Sequence, residues 1–251
     1  PDLLSSMAEI GTQEPGFARE KLVVEIVRRL YKAIGENSKP KIVLFASDHV
    51  VAMSLATALI EVFGQNVVQG LPGLVMPATN DISAAQRFGN DPVAWLYICD
   101  STGEEGQNLQ FADAIIHYDV PFSADRMEQR IGRLDRFGRR KNFIRHRVLI
   151  PADDDSSPWQ AWLDLLTDCF QVFNASLADI QFFLGDFQQQ LAMTLFREGT
   201  AGLRRAHAQL NESIIAERQR LDNQYALDRV MAFEDSAIGL RDSIENAELY
   251  F

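Results

Sequence analysis

The chain has 251 residues, 47% of them hydrophobic, which is ample for a buried core and excludes a disordered polypeptide. Its net charge of −11 argues against a surface that binds nucleic acid everywhere but leaves a local site open, because net charge describes only the average surface. No apolar run approaches the roughly 18 residues needed to cross a bilayer, and Cys99 and Cys169, which lack metal or redox spacing, read as core residues in a reducing cytoplasm.

The start, Pro1-Asp2-Leu3-Leu4-Ser5-Ser6, lacks a basic segment followed by an apolar one, so no signal peptide is expected. With no initiating Met, the chain is expected to begin inside a larger gene product. Residues 1–17 carry turn formers without a clear period and read as a connecting segment. Ala18 to Ile34 has apolar residues at helical spacing (Leu22, Val23, Ile26, Val27, Leu30, Ile34), with Gly35 as the C-cap. Lys41-Ile42-Val43-Leu44-Phe45-Ala46 predicts a buried parallel strand. A helix from His49 to Phe63 follows, with Ser47 or Asp48 as N-cap and Gly64 closing it. A weak strand at Asn66-Val67-Val68, a Gly/Pro-rich loop and a helix from Ile82 to Phe88 come next. Val93 to Cys99 is a second buried strand and Ala114 to Tyr118 a third; Ser123 to Leu134 is helical by pattern, and Arg147 to Ile150 is the last strand. Strands alternating with helices at this spacing predict an α/β fold, a parallel sheet with flanking helices, over 18–157. Pro151 to Pro158 is the clearest linker, and 158–251 is expected to be an α-helical extension. Within it, 203–227 is polar with a sparse apolar stripe (Leu203, Leu210, Ile214, Leu221) that fits either a helical hairpin or a protruding arm.

Two segments carry chemistry. Between Arg126 and Arg147 stand Arg126, Arg130, Arg133, Arg136, Arg139, Arg140, Lys141, Arg145 and Arg147, opposed only by Glu128 and Asp135. On a helix, Arg126, Gln129, Arg130 and Arg133 share one face, while Met127, Ile131 and Leu134 share another that can pack on the sheet. Several guanidiniums on one apolar anchor suit a polyanion, since the planar fork binds phosphate oxygens bidentately. The competing reading, a solvated charged face paired with acids, has only those two acids to draw on. The other segment, Asp100-Ser101-Thr102-Gly103-Glu104-Glu105-Gly106-Gln107-Asn108-Leu109-Gln110, directly follows a buried strand. It emerges at the carboxyl ends of the strands, where open α/β sheets bind ligands. Its glycines, hydroxyls and amides bring backbone N–H groups towards an anion or a sugar, although strand–loop–helix turns often carry glycines for structural reasons alone.

In order, the apolar strand, Gly-x-x-Gly-x-Asn-Leu-Gln, His117-Tyr118-Asp119, Pro121-Phe122 and Glu-Gln-Arg-Ile-Gly-Arg-x-x-Arg resemble motifs V and VI of superfamily-2 helicases. Within them, 103–110 and 129–136 look like the Swi/Snf branch, most like its bacterial RapA-type members, and Lys41 to Ala46 with its following helix fits motif IV. The resemblance implies a RecA-like helicase C-terminal lobe, the second motor lobe of an ATP-dependent double-stranded DNA translocase. It implies that Arg133 and Arg136 are arginine fingers reaching the γ-phosphate of ATP held by a partner lobe. It implies further that Gln129, Gly103, Glu105 and Gly106 face the nucleotide, and that Ser101, Thr102, Asn108, Gln110, Arg126 and Arg130 contact nucleic acid. Gly103, Gly106 and Asn108 would couple the two. The family often has Ser or Thr where Cys99-Asp100 stand, so Ser101 or Thr102 would have to supply the hydroxyl, and Asp100 is expected to turn inward.

The sequence holds no Gly-x-x-x-x-Gly-Lys-[Ser/Thr] and no Asp-Glu-x-His or Asp-Glu-Ala-Asp. ATP and Mg²⁺ are therefore expected to be held mainly by a first lobe, an N-terminal helicase lobe of the same parent, and the isolated chain is expected to be inactive. The expected partners are that lobe, double-stranded DNA and a protein at the helical extension, whose seven Arg and no Lys against fourteen Asp and Glu suit DNA poorly. No membrane contact is expected, and the implied location is the bacterial cytoplasm, at the nucleoid. The four histidines show no metal spacing, Asp153-Asp154-Asp155 reads as a solvated linker, and no Gly-x-Ser-x-Gly elbow supports a hydrolase. Phe182, Phe183 and Phe187 read as core. Two rivals stand beside this reading. One is a non-catalytic helicase-like scaffold, discriminated by a Walker loop upstream in the same reading frame. The other is a strand-separating helicase on RNA or single strands, discriminated by a strand-separation assay.

Overall fold

The computed structural model describes residues 16–35, 39–71, 84–101, 107–134, 144–151, 157–174, 177 and 180–248, without the side chains of 16–18, Phe182 and 230–248. The chain divides into two compact units, Pro1–Asp155 and Ser156–Phe251. The first contains α1 (Gly16–Ile34), β1 (Ile42–Phe45), α2 (His49–Phe63), β2 (Val68–Gln69), α3 (Ala84–Asn90), β3 (Leu96–Cys99), β4 (Ala114–His117), α4 (Ala124–Gly132) and β5 (Arg145–Val148).

The five strands form one parallel sheet in the order β2-β3-β1-β4-β5. Every residue of β1, β3 and β4 is buried, which is why these strands read as continuous apolar runs. Alternation divides their side chains between two layers. Ile42, Leu44, Leu96, Ile98, Ala114 and Ile116 pack with Val23, Val27 and Leu30 of α1 and Leu55 and Leu59 of α2. Val43, Phe45, Tyr97 and Ile115 pack on the other side with Phe88 of α3, Leu109 and Leu134. The central strand β1 thus lies in the middle of two cores.

Of the two candidate caps for α2, Asp48 serves, its Oδ1 accepting the Val51 N–H at 2.9 Å. β3 begins three residues later than its apolar run predicts, because Asp91 Oδ1 accepts the N–H groups of Val93 (2.7 Å) and Ala94 (3.0 Å) in a turn. β5 begins at Arg145 and not Arg147, since it pairs in register with the whole of β4, Arg145 lying opposite Ala114. Being an edge strand, it tolerates two arginines and a histidine that an apolar pattern does not flag. The expected helix 82–88 is found at Ala84–Asn90, with Ile82 outside the described residues.

The second unit has α5 (Pro158–Asp164), a π-helical turn (Leu165–Cys169) and α6 (Gln181–Glu248). Gly199 interrupts α6 with φ 64° and ψ −159°. A Cβ on Gly202 would lie 2.8 Å from Thr194 Cγ2, whereas residues eight apart in an unbroken helix are about 12 Å apart along the axis. The chain therefore turns sharply at Gly199 and makes a helical hairpin. Leu203, Leu210 and Ile214 are buried along the returning arm, and Arg218 donates to Gln171 Oε1 (3.0 Å) and the Phe170 carbonyl (3.2 Å). Beyond Leu221, residues 222–229 are all exposed. Phe183 and Phe187 are half-buried, less enclosed than core residues. Among the described residues no helix is long and apolar enough to cross a membrane.

Candidate functional site

The carboxyl ends of β1, β3 and β4 open on one edge of the sheet. β1 and β4 are neighbours, and the chain leaves β1 towards β2 but leaves β4 towards β5 on the other side. The crevice beyond their ends is a topological switch point, where such sheets bind ligands. Ser47-Asp48-His49 follow β1, Asp100-Ser101 follow β3, and Tyr118-Asp119 follow β4 and lead to α4.

Two of these segments, those after β1 and β4, are tied to α4 through one buried guanidinium. Arg130 has no exposed surface. Its Nη1 donates to the Asp119 carbonyl at 2.8 Å, and its Nη2 donates to Ser47 Oγ at 2.8 Å and Asp119 Oδ1 at 3.0 Å. Asp119 in turn accepts from the Ser47 N–H at 2.6 Å and the Ser47 hydroxyl at 2.7 Å. The guanidinium carbon lies 5.4 Å from the centre of the Phe45 ring. This overturns the expectation that Arg130 contacts nucleic acid: it is enclosed and its planar fork is spent on protein acceptors. At about 100° per residue, Arg130 stands on the side of the polar stripe nearest Met127 and Leu134, and its long stem carries the charge inward.

The rest of α4 divides as its sequence predicts. Met127, Ile131 and Leu134 are buried, Arg126 is half-buried and Gln129 is exposed. Ser123 caps the helix, its Oγ accepting the Arg126 N–H at 3.2 Å. Arg133 caps the other end half-buried, and its carbonyl accepts the Leu109 N–H at 3.0 Å. That bond joins the two chemistry-bearing segments directly. On the loop side, Asn108 and Ser101 are exposed and Gln110 is half-buried, with Asn108 Oδ1 accepting the Gln110 N–H at 3.1 Å in a local turn. Gln107 Oε1 accepts the Tyr97 hydroxyl at 2.9 Å, which anchors the loop to β3; burial pushes that hydroxyl well above the ordinary tyrosine range. Thr102, Gly103, Glu105, Gly106 and Arg136 lie outside the described residues.

Asp100 is buried and turned inward, as expected, with its Oδ2 2.6 Å from His49 Nδ1. His117, at the end of β4, is wholly buried and stacks on His146 with ring planes 5° apart. Burial first, then the Arg130 and His146 charges, hold its pKa well below 6.5, so it stays neutral in the fold. Ser47, His49, Tyr97 and Asp119 make contacts around this edge that sequence reasoning did not assign. Among the described residues no three metal-ligating side chains cluster.

Residues 24–138 match the family model described as the helicase conserved C-terminal domain. That stretch, under half of the chain, is therefore similar to helicase C-terminal domains. Similar proteins include bacterial RapA relatives. The RNA polymerase-associated protein RapA of Vibrio campbellii is 34% identical over 138 residues, which are 55% of this chain and 14% of that protein. The RapA of Pectobacterium atrosepticum is 44% identical over 71 residues, 28% of this chain and 7% of that protein. The matched stretch of the lobe is thus a small part of those relatives. Domain 2 of a DEAD-box helicase, solved on an RNA duplex, aligns with a TM-score of 0.47 at 20% identity, covering 63% of this chain and 58% of that one.

Proposed function

We propose that this lobe is the second motor half of an ATP-driven translocase on double-stranded DNA. Arg133 and Arg136 are its arginine fingers, directed at the γ-phosphate of ATP whose phosphates and Mg²⁺ are held mainly by an N-terminal helicase lobe of the same parent. ATP supplies the phosphoryl group that is cleaved; the residues of this chain orient and stabilise. A guanidinium offered to the terminal phosphate neutralises charge that grows as the bond breaks, and it is effective because the fork is already in position. Gln129, exposed one turn before Arg133, orients the phosphate or the attacking water, with Gly103, Glu105 and Gly106 beside the nucleotide. Ser101, Thr102, Asn108, Gln110 and Arg126 hold the nucleic-acid backbone, and Asp100, paired with His49, keeps its charge out of the polyanion's path.

The observation that supports this most is the Leu109 N–H donating to the Arg133 carbonyl at 3.0 Å. A loop that grips DNA and a helix that presents a finger must move together if hydrolysis is to drive translocation, and this bond links them. The helical unit, acidic and exposed on all sides over 222–229, is the surface for a protein partner, and by likeness to RapA a transcription complex in the bacterial cytoplasm is the setting. The parent is tested on duplex DNA carrying a third strand, with a strand-separation assay alongside. Displacement of the third strand with the duplex left intact is expected, whereas separation of the duplex, or RNA-dependent activity only, overturns the double-stranded DNA assignment.

A further inference from the structure

The buried Ser47–Asp119–Arg130 network joins the loops after β1 and β4 to α4, the helix that presents Arg133. Ser47 leads into Asp48 and the N-terminus of α2, and so to the His49–Asp100 link on the nucleic-acid side of the crevice. Arg130 lies on α4, three residues before Arg133. Asp119 sits between them and binds both. The Ser47 hydroxyl is the pivot: it donates to Asp119 Oδ1 at 2.7 Å while accepting from Arg130 Nη2 at 2.8 Å. The guanidinium has no exposed surface with which to exchange a lost acceptor for water. A displacement of the Ser47 loop must therefore carry Arg130 and its helix along, or leave a buried charge short of a hydrogen bond, which is costly.

We propose that Ser47 and Asp119 are positioning residues that transmit the state of the nucleic-acid side to Arg133 through Arg130. This rests on the translocase reading above. DNA held on the loop after β3, at Ser101, bears on Asp100 and, through its His49 partner, fixes Ser47. Ser47 fixes the guanidinium of Arg130, and α4 then holds Arg133 at the reach its finger role requires. A misplacement near 1 Å is enough to lower a rate substantially, because the effect of a fixed charge depends on its distance from the reacting phosphate.

The test uses the intact parent protein: ATP turnover with and without double-stranded DNA, DNA affinity and thermal melting, for wild type, Ser47→Ala, Ser47→Thr and Asp119→Asn. Ser47→Ala cuts the hydroxyl bridge but keeps the backbone N–H on Asp119; Ser47→Thr keeps both. The expected result for Ser47→Ala is a roughly tenfold loss of DNA-stimulated kcat, with KM for ATP and Kd for DNA within about threefold of wild type. Ser47→Thr is expected to recover the stimulation. Asp119→Asn, which keeps an acceptor but loses the countercharge, should show the same split and guards against a poorly folded alanine variant. A purely structural network would lower melting without dividing kcat from KM. Stimulation in Ser47→Ala and Asp119→Asn equal to that of wild type overturns the coupling alone. A wild type that DNA does not stimulate overturns the translocase reading, and the coupling falls with it.

Discussion

Arg130→Met separates a buried structural arginine from a polyanion contact. Methionine keeps much of the stem's volume and apolar packing but deletes the charge, leaving Asp119 and Ser47 without three hydrogen bonds of 2.8–3.0 Å and removing the contact with the Phe45 ring. Breaking a buried ion pair by removing one partner costs about 3–5 kcal/mol. The side chain of Asp119 is 30% exposed and can turn partly to water, so the lower end applies, about 3 kcal/mol. Against a total stability of roughly 5–15 kcal/mol this is a large fraction, and for a domain of this size it lowers Tm by about 6–12 °C. Hydrogen exchange at the β1 and β4 amides is the assay of choice, since it reports opening of the first unit without contribution from the helical one. A loss under about 0.5 kcal/mol, or a fall of about one unit in the salt slope of DNA binding by the parent, would mean that Arg130 reaches solvent and phosphate. The enclosed network would then be wrong.

Other expectations concern single residues. His117 is neutral in the fold, whereas in the unfolded chain it titrates near 6.5. As pH falls below about 6.5 the unfolded chain therefore takes up a proton that the fold refuses, and stability declines by up to about 1.4 kcal/mol per pH unit; denaturant titrations at several pH values should show this slope reduced in His117→Gln. Gly70→Ala should unfold the first unit or nearly so, because φ is +124° there and a Cβ would sit 2.1 Å from the Ile98 carbonyl oxygen; circular dichroism of the purified variant checks it. Cys169 is buried, and burial together with the Asp168 charge pushes its thiol pKa up to about 11. Native protein at neutral pH should thus alkylate at Cys169 only slowly, with full reaction on unfolding, as read by mass spectrometry.

Those features of the fold that depend on local periodicity were legible. Ile42–Phe45 and Leu96–Cys99 are unbroken apolar runs because both faces of a central parallel strand are covered. The apolar face of α4 followed from Met127, Ile131 and Leu134, and the inward turn of Asp100 from charge alone. Strand ends were less legible, since the side chain of Asp91 decides where β3 begins and the register with β4 decides where β5 begins. The site was legible by segment but not by contact. Helical periodicity gives the angular position of Arg130 and says nothing of how far its stem reaches. Asp119 stands only 11 residues before Arg130, but the other pairs lie 72 (Ser47–Asp119), 83 (Ser47–Arg130) and 51 (His49–Asp100) residues apart. Only the folded sheet brings the loops after β1, β3 and β4 to one edge, so a polar residue just beyond an apolar strand is the nearest sequence signal for such a network.

The most direct test of the motor-lobe assignment is ATP hydrolysis by the intact parent protein with and without double-stranded DNA, wild type beside Arg133→Ala and Arg136→Ala. DNA-stimulated turnover is expected in the wild type, with a loss on the order of 10³-fold in each variant while DNA affinity is largely kept. Turnover retained in both variants would contradict the finger assignment, and a wild type inactive on every nucleic acid would favour the scaffold reading.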